Sequence, residues 1–307
     1  MADGSVVVAG ALHLDVVVTV PHLPARDETV MGETVRFVCG GKGGNQAVAA
    51  SRHGARTVML GRVGDDMFAP ILLENLAAAG VDTARIQRGQ DAKSGMSVAI
   101  VDADGEYGAV VVSGANRQLS ADGFDYPGSD GVLVLQNEIP EALNLAVADK
   151  AKAAGATVVL NAAPMRPMGD DLMRLVDLLI VNRVEAADLL HAETGTPQEA
   201  LAATDGAAEL AAAIIVTLGG EGLVYREPGR PTRHVDGMQV PVVSTHGAGD
   251  AFVGALAARL AAGAEIGDAI AYAQAAAALL VATAPEERDA LGPAQVRGLL
   301  DARNPGR

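Results

Sequence analysis

Tryptophan is absent from this chain, aromatic residues are only 3% of it, and cysteine occurs once. With Cys39 as the sole cysteine, no disulfide can close within the chain and no cysteine metal cluster can form. The scarcity of aromatic residues disfavours nucleic-acid binding through base stacking. The six histidines lack metal-ligand spacing, and neither Gly-x-Ser-x-Gly nor His-Glu-x-x-His occurs, which disfavours a zinc enzyme and a serine hydrolase.

Positive charge is also scarce, since 23 Lys and Arg stand against 38 Asp and Glu, for a net charge of −15. Such a surface repels nucleic acids and anionic membranes, so we expect neither as a partner. A nucleotide remains possible, because backbone amides, a lysine and bound magnesium can supply positive charge locally.

The apolar window 269–284 is short and alanine-dominated, which predicts a buried helix and not a membrane span. The first residues show no basic stretch followed by a hydrophobic one, so no signal peptide is predicted. Together with the single cysteine, this favours a cytoplasmic location.

What the sequence does contain is an alternation of short Val- and Leu-rich runs with longer Ala- and Leu-rich stretches. This alternation is typical of β-α-β units around a mostly parallel sheet, and 307 residues with 50% hydrophobic content suffice for a large core. Strands are predicted at 5–9, 57–60, 131–135, 157–160, 178–181 and 214–218. Helices are predicted at 45–53, 66–79, 140–154, 184–190, 197–212, 249–262 and 269–282.

Two stretches break that alternation. Segments 15–20 and 34–39, and segments 95–101 and 107–113, alternate polar and apolar residues and are joined by turn-forming residues, as antiparallel strands are. We expect them to form a small sheet off the main body, serving as a lid or a dimer surface. The prediction is therefore one α/β domain over 1–307, with lid strands inserted at about 12–40 and 95–113.

The segment Gly247-Ala248-Gly249-Asp250 follows an extended run and opens an apolar helical stretch. Small residues let the backbone approach a ligand, and the unpaired amides of a first helical turn attract an anion. Asp250 then lies within reach of a substrate hydroxyl, an arrangement that suits phosphoryl transfer. The alternative is an ordinary helix cap after a turn.

The glycine-rich run Gly40-Gly41-Lys42-Gly43-Gly44-Asn45-Gln46 leads into the first predicted helix. It permits close main-chain approach to a ligand, and its lysine and asparagine offer donors. It fits neither the Walker A pattern nor Gly-x-Gly-x-x-Gly. The alternative is a flexible turn capped by Asn45.

Further polar residues follow predicted strands, where ligands collect in open α/β sheets. His13 and Asp15 follow the first strand, and their side chains can form hydrogen bonds with the hydroxyls of a sugar. The alternative is an ordinary turn at the end of a strand. Asn182 and Glu185 start a helix and can orient magnesium-bound water and phosphate. The alternative is a reciprocal cap of the helix by the same two residues. The segment 217–222 offers small residues beside a nucleotide, in what is also a hairpin turn.

Taken together, these motifs resemble the ribokinase family of carbohydrate and nucleoside kinases, in the same order from Gly10 to about Ala278. The resemblance implies a three-layer α/β/α fold with a mostly parallel central sheet, a small antiparallel lid, ATP and Mg²⁺ as cofactors, and a homodimer formed through the lid. It implies Asp250 as the base and Gly247, Ala248 and Gly249 as the anion hole. The implied sugar-binding residues are His13, Asp15, Gly41, Lys42, Gly43, Asn45, Glu138 and Asp250. The implied nucleotide-binding residues are Asn182, Glu185, Thr217, Gly219, Gly222, Gly249 and Gln274, with Glu185 holding Mg²⁺ through water.

The chain departs from the family pattern at three places. His13 stands where the family usually has Asn, which leaves the sugar open. Ser244 stands where the family's potassium site normally has Asp, and the loop 282–288 does not match the loop that completes that site. These departures predict weak or absent potassium activation.

The leading interpretation is an ATP-dependent kinase acting on a primary hydroxyl of a ribose-like sugar and giving ribose 5-phosphate. Within the same chemistry, the alternative is a nucleoside kinase or a kinase for another pentose, hexose or sugar acid. Two other classes stay open: a non-catalytic sugar-binding protein, disfavoured by the retained Asp250, and a dinucleotide oxidoreductase, disfavoured because Gly10-Ala11-Leu12-His13 lacks the required glycine spacing.

Overall fold

The computed structural model describes residues 4–104, 106–129, 131–207 and 212–303. The strands in chain order are β1 (Ser5–Ala9), β2 (His13–Thr19), β3 (Thr34–Gly40), β4 (Arg56–Leu60), β5 (Arg62–Gly64), β6 (Gln87–Gly89), β7 (Gly95–Val101), β8 (Tyr107–Val112), β9 (Val132–Gln136), β10 (Thr157–Asn161), β11 (Leu178–Asn182), β12 (Ala213–Thr217), β13 (Leu223–Arg226) and β14 (Arg233–Val235). The α-helices are α1 (Lys42–Arg52), α2 (Phe68–Ala78), α3 (Glu141–Ala153), α4 (Asp170–Met173), α5 (Arg183–Leu190), α6 (Pro197–Gly206), α7 (Ala248–Ala261), α8 (Ile266–Ala282) and α9 (Pro293–Arg303).

Eight strands form the central sheet in the order β14-β13-β12-β11-β10-β9-β1-β4. The six strands from β12 to β4 pair in parallel, and β13 and β14 add an antiparallel edge. Strand β1 is buried along its whole length, as expected of a parallel strand covered on both faces. The parallel strands direct their carboxyl ends to one edge, where the candidate site lies.

Helices cover both faces of this sheet, which gives the three predicted layers. One core packs α1, α2, α7, α8 and α9 against one face of the sheet, and a second core packs α3 to α6 against the other. Alanine and glycine bring helices close together: a Cβ on Gly254 of α7 would lie 2.5 Å from Cβ of Ala49 in α1. This contact near the middle of α7 holds the helix beside α1. Within the described ranges, none of the helices has the length and apolarity that crossing a bilayer requires.

A second sheet, which we call the lid sheet, has the strand order β3-β2-β7-β8. The predicted pairs β2–β3 and β7–β8 are antiparallel, as the alternating sequence indicates. The two pairs join through a parallel contact between β2 and β7, with Asp15 opposite Ser97. The sequence does not reveal this contact, because nothing local specifies the pairing of strands so far apart along the chain.

Some elements differ from the sequence-based prediction at their ends. Helix α1 begins at Lys42, three residues before the predicted start, and α8 begins at Ile266 where 269 was predicted. Helix α6 ends at Gly206, and residues 208–211 of the predicted helix 197–212 lie outside the described residues. The helices α4 and α9 were not predicted, since α4 has four residues and α9 buries Val296 alone as a core residue.

Candidate active site

The start of α7 presents Asp250 in its first turn. Gly247 precedes the helix with a φ of 82°, a left-handed conformation that glycine adopts without strain, and α7 begins at Ala248. The amides of a first helical turn have no intrahelical partner, so they point out of the helix together with its positive dipole end. The predicted anion site thus has the geometry of a helix N-terminus with a carboxylate inside it.

Two amide side chains of α1 fix the Asp250 carboxylate. Asn45 Nδ2 donates to Oδ2 at 3.0 Å, and Gln46 Nε2 donates to Oδ1 at 2.9 Å. Gln46 is completely buried and also donates to Asn161 Oδ1 at 3.0 Å, while its own Oε1 accepts from Gln136 Nε2 at 2.7 Å. A buried chain of amides therefore orients the carboxylate from the core side.

The surroundings of Asp250 set its proton affinity. Burial raises the pKa of the Asp250 carboxyl, and the charge of Lys42, the two amide donors and His246 oppose that rise. A carboxylate with a raised pKa holds a proton more strongly than an exposed aspartate does. The group is thus suited to accept a proton from an alcohol.

The glycine-rich run forms the first turn of α1 and not a separate loop. Gly41 has a φ of 85°, and a Cβ on Gly43 would lie 2.6 Å from the carbonyl carbon of Gly10. Gly44 N donates to Ala11 O at 3.1 Å, which places the helix start against the segment that follows β1. Glycine is required here because the two backbones touch.

Glu138 lies against the same turn and accepts a hydrogen bond from Lys42 N at 2.7 Å. Burial raises the pKa of Glu138 to about 7, with Lys42 opposing the rise and the charges of Asp250 and Asp15 adding to it. Three predicted carboxylates, Asp15, Glu138 and Asp250, therefore lie within electrostatic reach of one another. The charge of Lys42 opposes the rise in pKa that burial causes at Glu138, Glu185 and Asp250, so Lys42 is the positive charge that these three carboxyls share.

His13 and Asp15 approach this group from the lid sheet. Asp15 Oδ1 accepts a hydrogen bond from Ser97 Oγ at 2.6 Å. His13 is only 4% exposed, and its Nε2 has no hydrogen-bond partner among the described residues. Burial lowers the pKa of His13, which keeps the imidazole neutral near pH 7. A buried ring nitrogen without a partner is a place for a ligand hydroxyl.

The predicted nucleotide side forms a cavity of about 230 Å³ next to the start of α7. Asn182 and Glu185 meet there in a reciprocal cap: Glu185 N donates to Asn182 Oδ1, and Asn182 N donates to Glu185 Oε2, each at 2.9 Å. Lys42, Thr217 and the segment 245–250, which includes the first turn of α7, line the same cavity. The helix-cap interpretation is therefore correct in geometry, and the same two residues also face the cavity.

Magnesium would depend on the phosphates of the nucleotide here. No group of three or more His, Cys, Asp or Glu with metal-binding geometry occurs within the described residues. Burial raises the pKa of Glu185, so this carboxylate gains from a nearby cation. One carboxylate, water and phosphate oxygens form a set of donors that suits Mg²⁺.

Three predicted nucleotide residues lie away from this cavity. Gly219 and Gly222 turn the chain between β12 and β13 with φ values of 63° and 94°, and Gln274 of α8 donates to Asp236 O at 3.5 Å. None of the three is among the described residues that line the cavity.

Several residues of the site were not assigned from the sequence. Gln46 lies in the glycine-rich motif, yet nothing local shows that its side chain turns toward Asp250. Gln136 and Asn161 end β9 and β10, and their positions at the carboxyl ends of parallel strands are the signal that identifies them. Ser97 becomes significant only through the parallel contact of β7 with β2.

A second cavity, of about 600 Å³, lies between α5 and α6. Leucine and alanine make up most of its lining, with Glu193 and Glu199 as its charged residues. Among the described residues that line it, no lysine or arginine offsets these two carboxylates, whereas Lys42 lines the cavity beside Asp250. The cavity beside Asp250 is therefore the better candidate for binding a nucleotide.

Comparison with known proteins agrees with this geometry. The family described as pfkB family carbohydrate kinase matches residues 3–285. A ribokinase from Bacillus subtilis is 35% identical over 281 residues, covering 90% of this chain and 92% of the relative. A deoxyribokinase from Salmonella typhi is 30% identical over 258 residues, covering 82% and 84%. The solved structure of Arabidopsis thaliana ribokinase complexed with ribose and ATP aligns with a TM-score of 0.88 at 28% identity, covering 98% of this chain and 99% of that one.

These findings confirm the predicted family, the ribokinase-like α/β fold and the enzyme class, an ATP-dependent carbohydrate kinase. The order of motifs, the layered sheet and the site at its carboxyl edge all agree with that assignment. The chain belongs to the pfkB family of carbohydrate kinases.

Proposed function

We propose that this chain transfers the γ-phosphoryl group of ATP to the primary hydroxyl of D-ribose, giving ribose 5-phosphate and ADP. The Bacillus subtilis relative is a ribokinase, and the Arabidopsis thaliana structure is complexed with ribose and ATP. The observation that carries the proposal is the anchoring of Asp250 by Asn45 and Gln46 at the mouth of α7, beside a cavity that Lys42 lines.

In this reaction Asp250 accepts the proton of the primary hydroxyl as its oxygen bonds to the γ-phosphorus. The bond from that phosphorus to the β–γ bridging oxygen breaks, and ADP leaves with the electron pair. Amides of Gly247, Ala248 and Gly249 stabilise the charge on the migrating phosphoryl group, and the Ala248 amide exchanges its hydrogen bond to Thr245 O for this contact. A base in this position contributes roughly 10²–10⁴-fold to the rate, and positioning supplies much of the rest.

The sugar binds between the lid sheet and the start of α1 in this proposal. The walls of this sugar site are the three carboxylates Asp15, Glu138 and Asp250, which accept hydrogen bonds from the hydroxyls of the sugar. The main chain at Gly41, Lys42 and Gly43 approaches the sugar closely, and Asn45 and His13 Nε2 complete the contacts.

The nucleotide binds along the cavity at the carboxyl edge of the sheet. Asn182, Glu185, Thr217 and Gly249 contact it there, and the turn of Gly219 and Gly222 lies beside the base with Gln274. Bound Mg²⁺ neutralises phosphate charge, and Glu185 would hold it through water.

The chain acts as one kinase domain, and the lid sheet excludes water from the activated phosphate.

The lid face opposite Asp15 carries apolar residues, with Phe37 61% and Val110 66% exposed in the row Phe37, Val16, Val98, Val110. We propose that a second copy of the chain covers this face in a homodimer. Because ATP is the donor, the proposed location is the cytoplasm.

A substrate panel tests the proposed reaction. ADP release with Mg²⁺ and ATP is measured for D-ribose, 2-deoxy-D-ribose, hexoses, sugar acids and nucleosides, and phosphorus NMR identifies the product. D-Ribose is expected to have the highest kcat/KM, and 5-deoxy-D-ribose, which lacks the primary hydroxyl, is expected to bind without turnover. A higher kcat/KM for a nucleoside, or phosphorylation of 5-deoxy-D-ribose, would refute the proposal.

A further inference from the structure

Arg288 makes an unusual set of hydrogen bonds next to the anion hole. It lies in the 3-10 turn Pro285–Ala290, between α8 and α9. Its guanidinium donates to three main-chain carbonyl oxygens: Nη1 to His246 O at 3.0 Å, Nη2 to Ser244 O at 3.0 Å, and Nε to Thr283 O at 3.1 Å. Each nitrogen of the planar group thus has its own carbonyl partner.

Three carbonyl oxygens that face one guanidinium form a site of negative potential. Such oxygens bind a bare monovalent cation when they replace its hydration shell. Here the guanidinium already occupies that position, and its positive charge is permanent. A potassium ion would have to displace the guanidinium, and the charge of Arg288 would repel it.

The side chain of Ser244 does not complete a cation site either. Ser244 Oγ accepts a hydrogen bond from His246 N at 3.4 Å, within its own turn. A hydroxyl is neutral, whereas the carboxylate implied by the family resemblance would supply a full negative charge. The residues at this place therefore do not fit potassium, and they do fit a guanidinium.

Two of the carbonyls that Arg288 binds, those of Ser244 and His246, belong to the segment leading into the anion hole. His246 directly precedes Gly247, and Ala248 N donates to Thr245 O at 3.2 Å. The end of α8 holds the same segment from its other side, since Val281 O accepts from Val243 N at 2.9 Å and from Ser244 N at 3.2 Å. Arg288 thus fixes the backbone that sets the position of the first turn of α7.

We propose that Arg288 is a positioning residue that takes the role of a monovalent cation and makes the enzyme independent of potassium. The inference rests on the proposed phosphoryl transfer, in which the amides after His246 must stay in place as charge develops on the phosphoryl group. Arg288 touches neither substrate; it acts through the loop 244–246.

The test compares kcat and KM in potassium chloride and in choline chloride at equal ionic strength. The unaltered enzyme is expected to give the same kcat in both salts, within about twofold. Arg288→Ala is expected to lose roughly tenfold or more in kcat in choline chloride, with the sugar KM changed by less than about threefold, because the loss concerns the transition state. Potassium or guanidinium ions are expected to restore part of that kcat, and Arg288→Lys to retain an intermediate value.

Asp289→Ala is the matched control. Asp289 Oδ1 accepts from Arg52 Nη2 at 2.5 Å, so this variant loosens the same 3-10 turn without touching the three carbonyls. It is expected to keep kcat within about twofold of the unaltered enzyme and to gain nothing from potassium. An equal loss in Asp289→Ala would show that general loosening of the turn explains the effect, and would overturn the proposal.

The melting temperature supplies a readout that does not need activity. Potassium is expected to raise the melting temperature of Arg288→Ala relative to choline, and to leave that of the unaltered protein unchanged. A strong activation of the unaltered enzyme by potassium, or an Arg288→Ala variant with unchanged kcat and no response to cations, would overturn the proposal. If no sugar is phosphorylated by the unaltered protein, the proposed function fails, and the melting temperatures still decide the role of Arg288.

Discussion

At the scale of single residues, the site depends on polar side chains that the core holds in place. Gln46 is 204 positions from Asp250 in sequence, yet its amide anchors that carboxylate and contacts Asn161 and Gln136. Nothing in the local sequence encodes a pair so distant. The local sequence does encode a carboxylate that follows glycines at the start of a helix, and this pattern is sufficient to predict Asp250 as the candidate base.

His13 is expected to control sugar recognition. Because its buried Nε2 lacks a partner in the part of the chain that the structure describes, His13→Ala should remove one hydrogen bond to the sugar and raise the sugar KM by roughly tenfold, with kcat within about threefold. His13→Asn, which places a shorter donor there, should change the ratio of kcat/KM for D-ribose and 2-deoxy-D-ribose. Steady-state kinetics with both sugars measures this. The exposed His22→Ala is the control, and unchanged kinetics in both His13 variants would refute the contact.

Glu138 is expected to make stability depend on pH. Its pKa is raised from 4.5 to about 7, so the folded protein keeps a proton that the unfolded chain has already lost. The free energy of unfolding should therefore fall as pH rises from about 4.5 to about 7 and then level off. In Glu138→Gln this fall should be shallower. Burial also raises the pKa values of Asp250 and Glu185, so part of the slope should remain.

Urea unfolding at intervals between about pH 5 and about pH 8 measures that slope. Glu74→Gln, at an exposed position of α2, is the matched control and should leave the slope as it is. An equal slope in Glu138→Gln and in the unaltered protein would contradict the assignment.

At the scale of elements, the close packing of α7 on α1 links the stability of the protein to the geometry of the candidate active site. A Cβ at position 254 would lie 2.6 Å from Gln46 O and 2.5 Å from Ala49 Cβ, so Gly254→Ala must push α7 away from α1. We expect a loss of about 1–3 kcal/mol in the free energy of unfolding. A lower kcat should accompany it, because Asp250 and Gln46 separate.

Gly298→Ala is the control for that variant. It lies inside α9, where a Cβ meets nothing within 4 Å, so it should stabilise the protein by about 0.5–1 kcal/mol through helix propensity. Urea unfolding and steady-state kinetics of both variants make the comparison. If the two variants behaved alike, tight packing of the helices would not be the cause.

The lid sheet leads to a prediction about assembly. Phe37→Asp places a charge in the exposed apolar row of the lid, so we expect it to turn a dimer into a monomer, as light scattering after size-exclusion chromatography would show. Met67→Asp is the control, since Met67 is 78% exposed and lies outside the lid sheet. A monomeric unaltered protein, or a Phe37→Asp variant that stays dimeric, would contradict the lid dimer.

Most of the helices and strands, but not their tertiary contacts, could be predicted from the sequence. The parallel strands and most helices follow from hydrophobic periodicity, and the lid hairpins follow from their alternation of polar and apolar residues. The predicted helix starts at 45, whereas in the structure Lys42, Gly43 and Gly44 already belong to the first turn of α1, where Gly43 packs on Gly10. The parallel contact of β2 with β7 depends on tertiary structure, so no local pattern could indicate it.

At the scale of the whole molecule, an acidic protein with a net charge of −15 has a site for a highly charged anion. The negative net charge and the anion site are compatible, because Lys42 and the start of α7 create a positive potential locally, at one edge of the sheet. Burial raises the pKa of Glu138 to about 7, so near neutral pH this carboxyl carries less than a full negative charge beside Lys42. A negative overall charge is therefore compatible with a site for ATP.

The most direct test of the account measures kcat for ADP release and the D-ribose dissociation constant in the unaltered enzyme and in Asp250→Asn. Asparagine keeps the shape of the side chain but cannot take the proton. The account predicts a fall in kcat of roughly 10²–10⁴-fold with ribose affinity within about threefold of the unaltered value. An Asp250→Asn variant that turns over D-ribose at the rate of the unaltered enzyme would contradict it.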